Sequence, residues 1–154
     1  YGSDTLMISD IVLADEISPQ ADASQIISCY TRNGLNILPN VSQYFLQNDT
    51  LLVYFELYNL DLDLSGNIHF TVETALHRKD KGGFFQSIFG SNTEKMSIVN
   101  EYSGRRTDEF VVQSVQLSNL EPGEYKLEIT VRDKNTGRMI RKNTNMTLLE
   151  ALTN

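Results

Sequence analysis

The chain has 154 residues, 40% of them hydrophobic, and a formal net charge of −7. This length and apolar fraction suit one domain with a core of its own and exclude a disordered chain. The acidic excess argues against nucleic acid, since counterion release needs clustered Lys and Arg, and no apolar run approaches the ~18 residues that cross a bilayer.

Taken in chain order, strand signals recur at short spacing and no segment keeps a helical period. Leu6, Ile8, Ile11 and Leu13 suggest a first strand with an irregularity near Asp10. A polar stretch from Asp15 to Gln25 follows, and then the one cysteine, Cys29, in an apolar-leaning setting that reads as a small buried hydrophobe. A single cysteine forbids an internal disulfide, which fits a cytosolic or a bacterial envelope protein better than a eukaryotic secreted sandwich. The chain opens at Tyr1 and not at Met, which reads as a processed protein or a piece of a longer one.

The stretch "LNILPNVSQYF" reads as extended chain broken at Pro39, which cannot donate a ladder hydrogen bond. In "LLVYFELYNL", Val53, Phe55 and Leu57 point one way and Tyr54, Glu56 and Tyr58 the other. Gly66 ends the turn that follows. Ile68, Phe70, Val72, Thr74 and Leu76 then alternate with polar residues, which predicts one buried and one wet face. "HRKDKGGFFQSIFGSN" is predicted as a loop or hairpin tip, followed by strands around Met96–Ile98 and from about Glu109 to Leu117. In the last third Tyr125, Leu127, Ile129 and Val131 face inward, and "DKNTG" closes a hairpin.

These signals predict one all-β domain over 1–154, an immunoglobulin-like antiparallel β-sandwich of about seven to nine strands. "LEPGEYKLEITV" carries the mark of a sandwich corner, in which the Tyr125 hydroxyl reaches back to main chain between Leu120 and Gly123. Val53, Phe55, Leu57, Phe70, Val72, Leu127, Ile129 and Val131 are predicted to share one core.

The succession "MISDIVLADEI", "NGLNILPNVSQYF", "LLVYFELYNLDLD", "GGFFQSIFG" and "LEPGEYKLEITVRDKNTGR" resembles the C-terminal β-sandwich region of the bacterial GWxTD-domain proteins. The naming motif is absent, because the chain contains no Trp. The resemblance implies a bacterial envelope (periplasmic) or secreted protein and transfers no catalytic residue.

The residues themselves point away from enzymatic chemistry. His69 and His77, the only histidines, lie eight positions apart on one predicted strand, roughly 26 Å, and cannot share an ion. Asp61, Asp63, Ser65 and Gly66 imitate the start of a calcium loop, but Val72 stands where the bidentate Glu belongs, and the segment 61–67 reads as a polar turn. No Gly-x-Ser-x-Gly elbow, dinucleotide fingerprint or phosphate loop occurs, and neither histidine lies beside an obvious nucleophile in sequence. No catalytic, cofactor or metal residue is therefore assigned. Lack of Trp ranks carbohydrate binding below protein binding.

One segment stands out. Phe84, Phe85, Ile88 and Phe89 lie among glycines after a basic run, and apolar residues on a loop mark either a contact surface or a plug over the end of the sandwich. The expectation is a non-catalytic module that meets a protein partner through strand edges and these four residues. The alternative is a structural subunit of an extracellular assembly, joined by donation of the N-terminal strand at 4–14, with Asp15–Gln25 as the hinge.

Overall fold

The computed structural model describes residues 5–20, 29–79 and 92–152, with main chain alone at 92–95. Its eleven strands are β1 Met7–Ile8, β2 Val12–Pro19, β3 Tyr30–Arg32, β4 Leu35–Pro39, β5 Tyr44–Leu46, β6 Thr50–Tyr58, β7 Ile68–Lys79, β8 Asn92–Gly104, β9 Glu109–Gln116, β10 Gly123–Asp133 and β11 Met139–Leu149. One sheet runs β3-β4-β2-β6-β9, with β1 carrying on the line of β2 along β6; the other runs β5-β11-β10-β7-β8. Every pairing is antiparallel except β5 with β11. This is the expected β-sandwich. The strand number exceeds seven to nine because the N-terminal chain breaks into short pieces where an unbroken reading merges them.

The break near Asp10 separates β1 from β2. Ser9 bridges the gap by donating its N–H to the Glu56 carbonyl at 2.9 Å, while its Oγ accepts the Glu56 N–H at 2.8 Å. Both β1 and β2 pair with β6, so the N-terminal residues complete their own sheet here. Asp15–Pro19, inside the stretch read as a hinge, belong to β2 and lie against β4; residues 21–25 of that stretch fall outside the described residues.

The core follows the alternation. Leu51, Val53, Phe55 and Leu57 of β6 meet Ile68, Phe70, Val72 and Leu76 of β7 and Tyr125, Leu127, Ile129 and Val131 of β10, all nearly fully buried. The eight residues expected to share a core do so. Among the described residues a short polar chain crosses this interior: the Thr74 hydroxyl donates to Gln113 Oε1, and Gln113 Nε2 donates to the Tyr102 hydroxyl at 3.3 Å. Since Gln113 is on β9 and Thr74 on β7, the bond joins the two sheets.

Both ends of the sandwich are tied by side chains. At one end Tyr125, 1% exposed, donates to the Glu121 carbonyl at 2.7 Å, the corner expected from the sequence. At the other end Asp133, also 1% exposed, accepts the N–H of Asp61 and of Asn135, each at 2.9 Å. Asn135 returns Nδ2 to the carbonyls of Asp61 and Asn67 at 2.7 and 2.9 Å, and Arg138 donates to the Asn59 carbonyl at 2.7 Å. The β10–β11 turn is thereby bolted to the loop between β6 and β7.

Tyr125→Phe should cost on the order of 1–2 kcal/mol in urea unfolding by leaving the Glu121 carbonyl without its donor, with the far-ultraviolet spectrum unchanged. Phe70→Ala should cost about 3–5 kcal/mol in the same assay, because Phe70 fills the core between the sheets and stacks on Tyr102.

Candidate functional site

The four residues singled out from sequence, Phe84, Phe85, Ile88 and Phe89, lie outside the described residues. Within the described residues, chemistry-bearing side chains gather at two places: the outer face of β6 and the end of the sandwich around His69.

On β6, period two puts Leu52, Tyr54, Glu56 and Tyr58 opposite the core-facing set. In an open sandwich that face meets water, yet Tyr54 is 3% and Glu56 7% exposed. The cover is the β3–β4 hairpin. Asn33 and Gly34 form its two-residue turn with φ of 50° and 74°, the pair of positive values a tight hairpin turn requires. Strand β2 pairs first with β6 and then, past a register shift between Ala14 and Glu16, with β4. The hairpin thus folds over β6, and Ile37, Ala14 and Tyr54 make a second small core with Val12, Ile17, Leu35, Leu52 and Phe110.

At the rim of this layer Arg32 meets the Glu56 carboxylate with both arms of its fork, Nε to Oε1 at 2.6 Å and Nη2 to Oε2 at 2.8 Å. Tyr54 donates to Oε1 at 2.7 Å, Tyr58 to Oε2, and Asn33 Nδ2 reaches Oε1 at 3.3 Å. A buried charge needs such saturation, since an unpaired carboxylate here would cost several kcal/mol. The Arg32 bonds, outweighing burial and aided by the tyrosines, hold the Glu56 carboxyl at about 2. Burial, with Glu56 beside it, pushes the Tyr54 phenol up to about 12. A carboxylate so held is an ionised anchor and no proton carrier at neutral pH.

Shallow depressions flank the cluster. One of about 300 Å³ is lined by Ser9, Asp10, Val12, Tyr30, Arg32, Tyr54, Glu56 and Tyr58. The other, about 200 Å³, continues past Arg32 to Arg106, Asp108, Glu109 and Phe110. The sequence marks one face of β6 but not its cover. The overlooked signal is "TRNGLNI", where Asn-Gly between two extended runs encodes the hairpin.

Around His69 a wider depression of about 390 Å³ is lined by His69, Glu101, Tyr102, Ser103, Lys134 and Asn135. Pairing of β7 with β8 sets Ser103 directly opposite His69, a neighbour that sequence spacing does not reveal. Asp63 Oδ2 lies 3.4 Å from His69 Nε2. The His69 side chain is 44% exposed, and Ser103 makes no hydrogen bond to it. Asp63 is already engaged through Oδ1 by the N–H groups of Ser65 and Asn67, which with nearby His69 keep its carboxyl below the usual range. The segment 61–67 is likewise organised by protein donors, with Arg138 on the Asp61 carboxylate. His77 lies at the far end of β7, 3.9 Å from Glu128. Among the described residues no three His, Cys, Asp or Glu side chains converge as a metal site. Cys29, directly ahead of β3, is half-buried.

No protein-family model matches the chain, and no curated protein matches it.

Because the Glu56 carboxyl is depressed on folding, its contribution is full above about pH 4.5 and lost as pH falls toward about 2. Glu56→Gln should flatten that acid limb in urea melts taken between pH 7 and pH 2. At pH 7 the same variant should cost on the order of 1–3 kcal/mol by leaving buried donors without their charged acceptor.

Proposed function

We propose that the chain is a non-catalytic interaction module of a bacterial envelope or secreted protein, and that its ligand is another protein. The observation that carries this reading is a pair of strand edges on one flank. Strand β8 ends one sheet and β9 the other, and among the described residues neither has a second neighbour. The two run close together, since Gln113 of β9 touches Tyr102 of β8. Unpaired main-chain N–H and C=O groups in a row are a ready template for another chain.

The ionisable groups favour the same reading. Glu56 and Asp133 are engaged on both oxygens by this chain's own donors. The resemblance to the GWxTD-domain sandwich supplies the bacterial envelope or secreted setting. On sequence alone, Phe84, Phe85, Ile88 and Phe89 are proposed as the apolar part of the contact surface.

A second reading, a subunit of an extracellular assembly, draws on β1, which is held to β6 by two residue pairs and is the piece a neighbour could replace. Light scattering across a dilution series separates the two: a monomer supports the module, a dilution-resistant polymer the subunit. Immobilised on a surface, the chain should retain a saturable partner from a bacterial envelope extract. Phe84→Ser, Phe85→Ser and Phe89→Ser together should abolish that retention while moving Tm by no more than a few degrees, about the scale of an exposed change. Retention untouched by this triple change and by charges on both strand edges would overturn the reading.

A further inference from the structure

Edge strands are a hazard that proteins blunt by shortness, bulges, charges or proline. Among the described residues, three of the four edge strands β3, β5, β8 and β9 are blunted. Strands β3 and β5 are three residues each. Strand β8 is long, but its pairing with β7 shifts register between Leu76 and His77, and its sequence carries Glu94, Lys95 and Glu101. Strand β9 carries one charge, Glu109 at its first position, and none of the other devices. It pairs with β6 at eight consecutive positions without a shift, and "EFVVQSVQ" holds no Lys, Arg, Pro or Gly.

The edge is also prepared for a neighbour. Val111 and Val115 are locked in the core, and Gln113 between them is held from the opposite sheet by Thr74 and Tyr102. The strand is therefore rigid before any partner arrives, which removes one ordering cost of strand addition. Its outer face is uncharged past Glu109, with Val112 39% exposed and Ser114 and Gln116 exposed beside it.

We infer that β9 is a strand-addition site, and that its occupant is an extended, basic segment of a partner protein with alternating apolar residues, pairing along Glu109–Gln116. The inference rests on the interaction-module reading. Main-chain bonds supply the attachment, and alternate side chains of the added strand lie over Val112 and Phe110. Charge chooses the occupant: a chain of net charge −7 attracts a basic segment and repels a second copy of itself. A strand pair of eight positions also falls short of the roughly 800 Å² per partner that a stable dimer buries.

The test uses a fluorescent octapeptide of alternating Val and Lys, the same peptide N-methylated at alternate residues, and octalysine, each titrated against the whole chain by anisotropy. The Val-Lys peptide should bind at least about tenfold more tightly than either control. Val112→Lys with Ser114→Lys should weaken it by at least about tenfold, whereas Ser97→Lys with Val99→Lys, the same charge placed on the exposed face of β8, should change it less than about twofold. Thermal melts of both variants confirm that they fold. No binding, or equal binding of the N-methylated peptide or octalysine, overturns the inference. Loss in the β8 variant with none in the β9 variant, or indifference to both edges, also overturns it and leaves the module reading to the partner-retention test. A dimer that dissociates in the β9 variant would make a second copy the occupant and overturn the basic-segment assignment.

Discussion

The whole structure depends on keeping three inward-facing alternations in phase. Strands β6, β7 and β10 each present every second residue to one interior, and a slip of one residue on any of them would carry its apolar set into water. Apolar burial is strong but indifferent to which apolar residue meets which. Directional bonds make the choice. The Thr74–Gln113 bond crosses the interior and is satisfied only when β7 and β9 sit in the observed phase. Asp133, Asn135 and Arg138 hold one end, and Tyr125 holds the other.

The Arg32–Glu56 cluster belongs to the same logic, one layer out. A carboxylate in the middle of the strongest core strand is a liability until donors surround it, and the surrounding groups come from β6 itself and from the β3–β4 hairpin. Closing the hairpin over β6 satisfies the charge and covers Tyr54 at the same time. It also decides where the molecule stays open. With the outer face of β6 covered, the β8 and β9 edges, which have no second neighbour among the described residues, are left on the opposite flank.

Much of this is legible in the residues. Ile68 to Leu76 alternates without interruption, so the register of β7 follows from the sequence, and the Leu-Glu-Pro-Gly-Glu-Tyr run predicts the corner at Tyr125 because its chemistry is local. The irregularity near Asp10 shows as a broken alternation. What is hidden depends on contacts between distant positions. Glu56 in "YFELY" reads as a wet-face residue until Arg32, 24 positions earlier, is placed beside it. Ser103 meets His69 only through the pairing of β7 with β8, which no spacing reveals. Gln113 likewise sits in a valine-rich strand, and its partner Thr74 lies in the other sheet.

The parallel pair among the described strands has a mechanical meaning. Strands β5 and β11 run the same way through Tyr44–Thr147, Phe45–Leu148 and Leu46–Leu149, with flanking bonds from Thr147 N–H to the Gln43 carbonyl and from Gln47 N–H to the Leu149 carbonyl. Tension applied between the chain ahead of Tyr44 and the chain beyond Leu149 pulls these strands past each other along their length. The bonds are then loaded together, in shear, instead of opening one after another as in a peeled hairpin. This short ladder is therefore a clamp, and it gives the sandwich a direction in which it resists stretching.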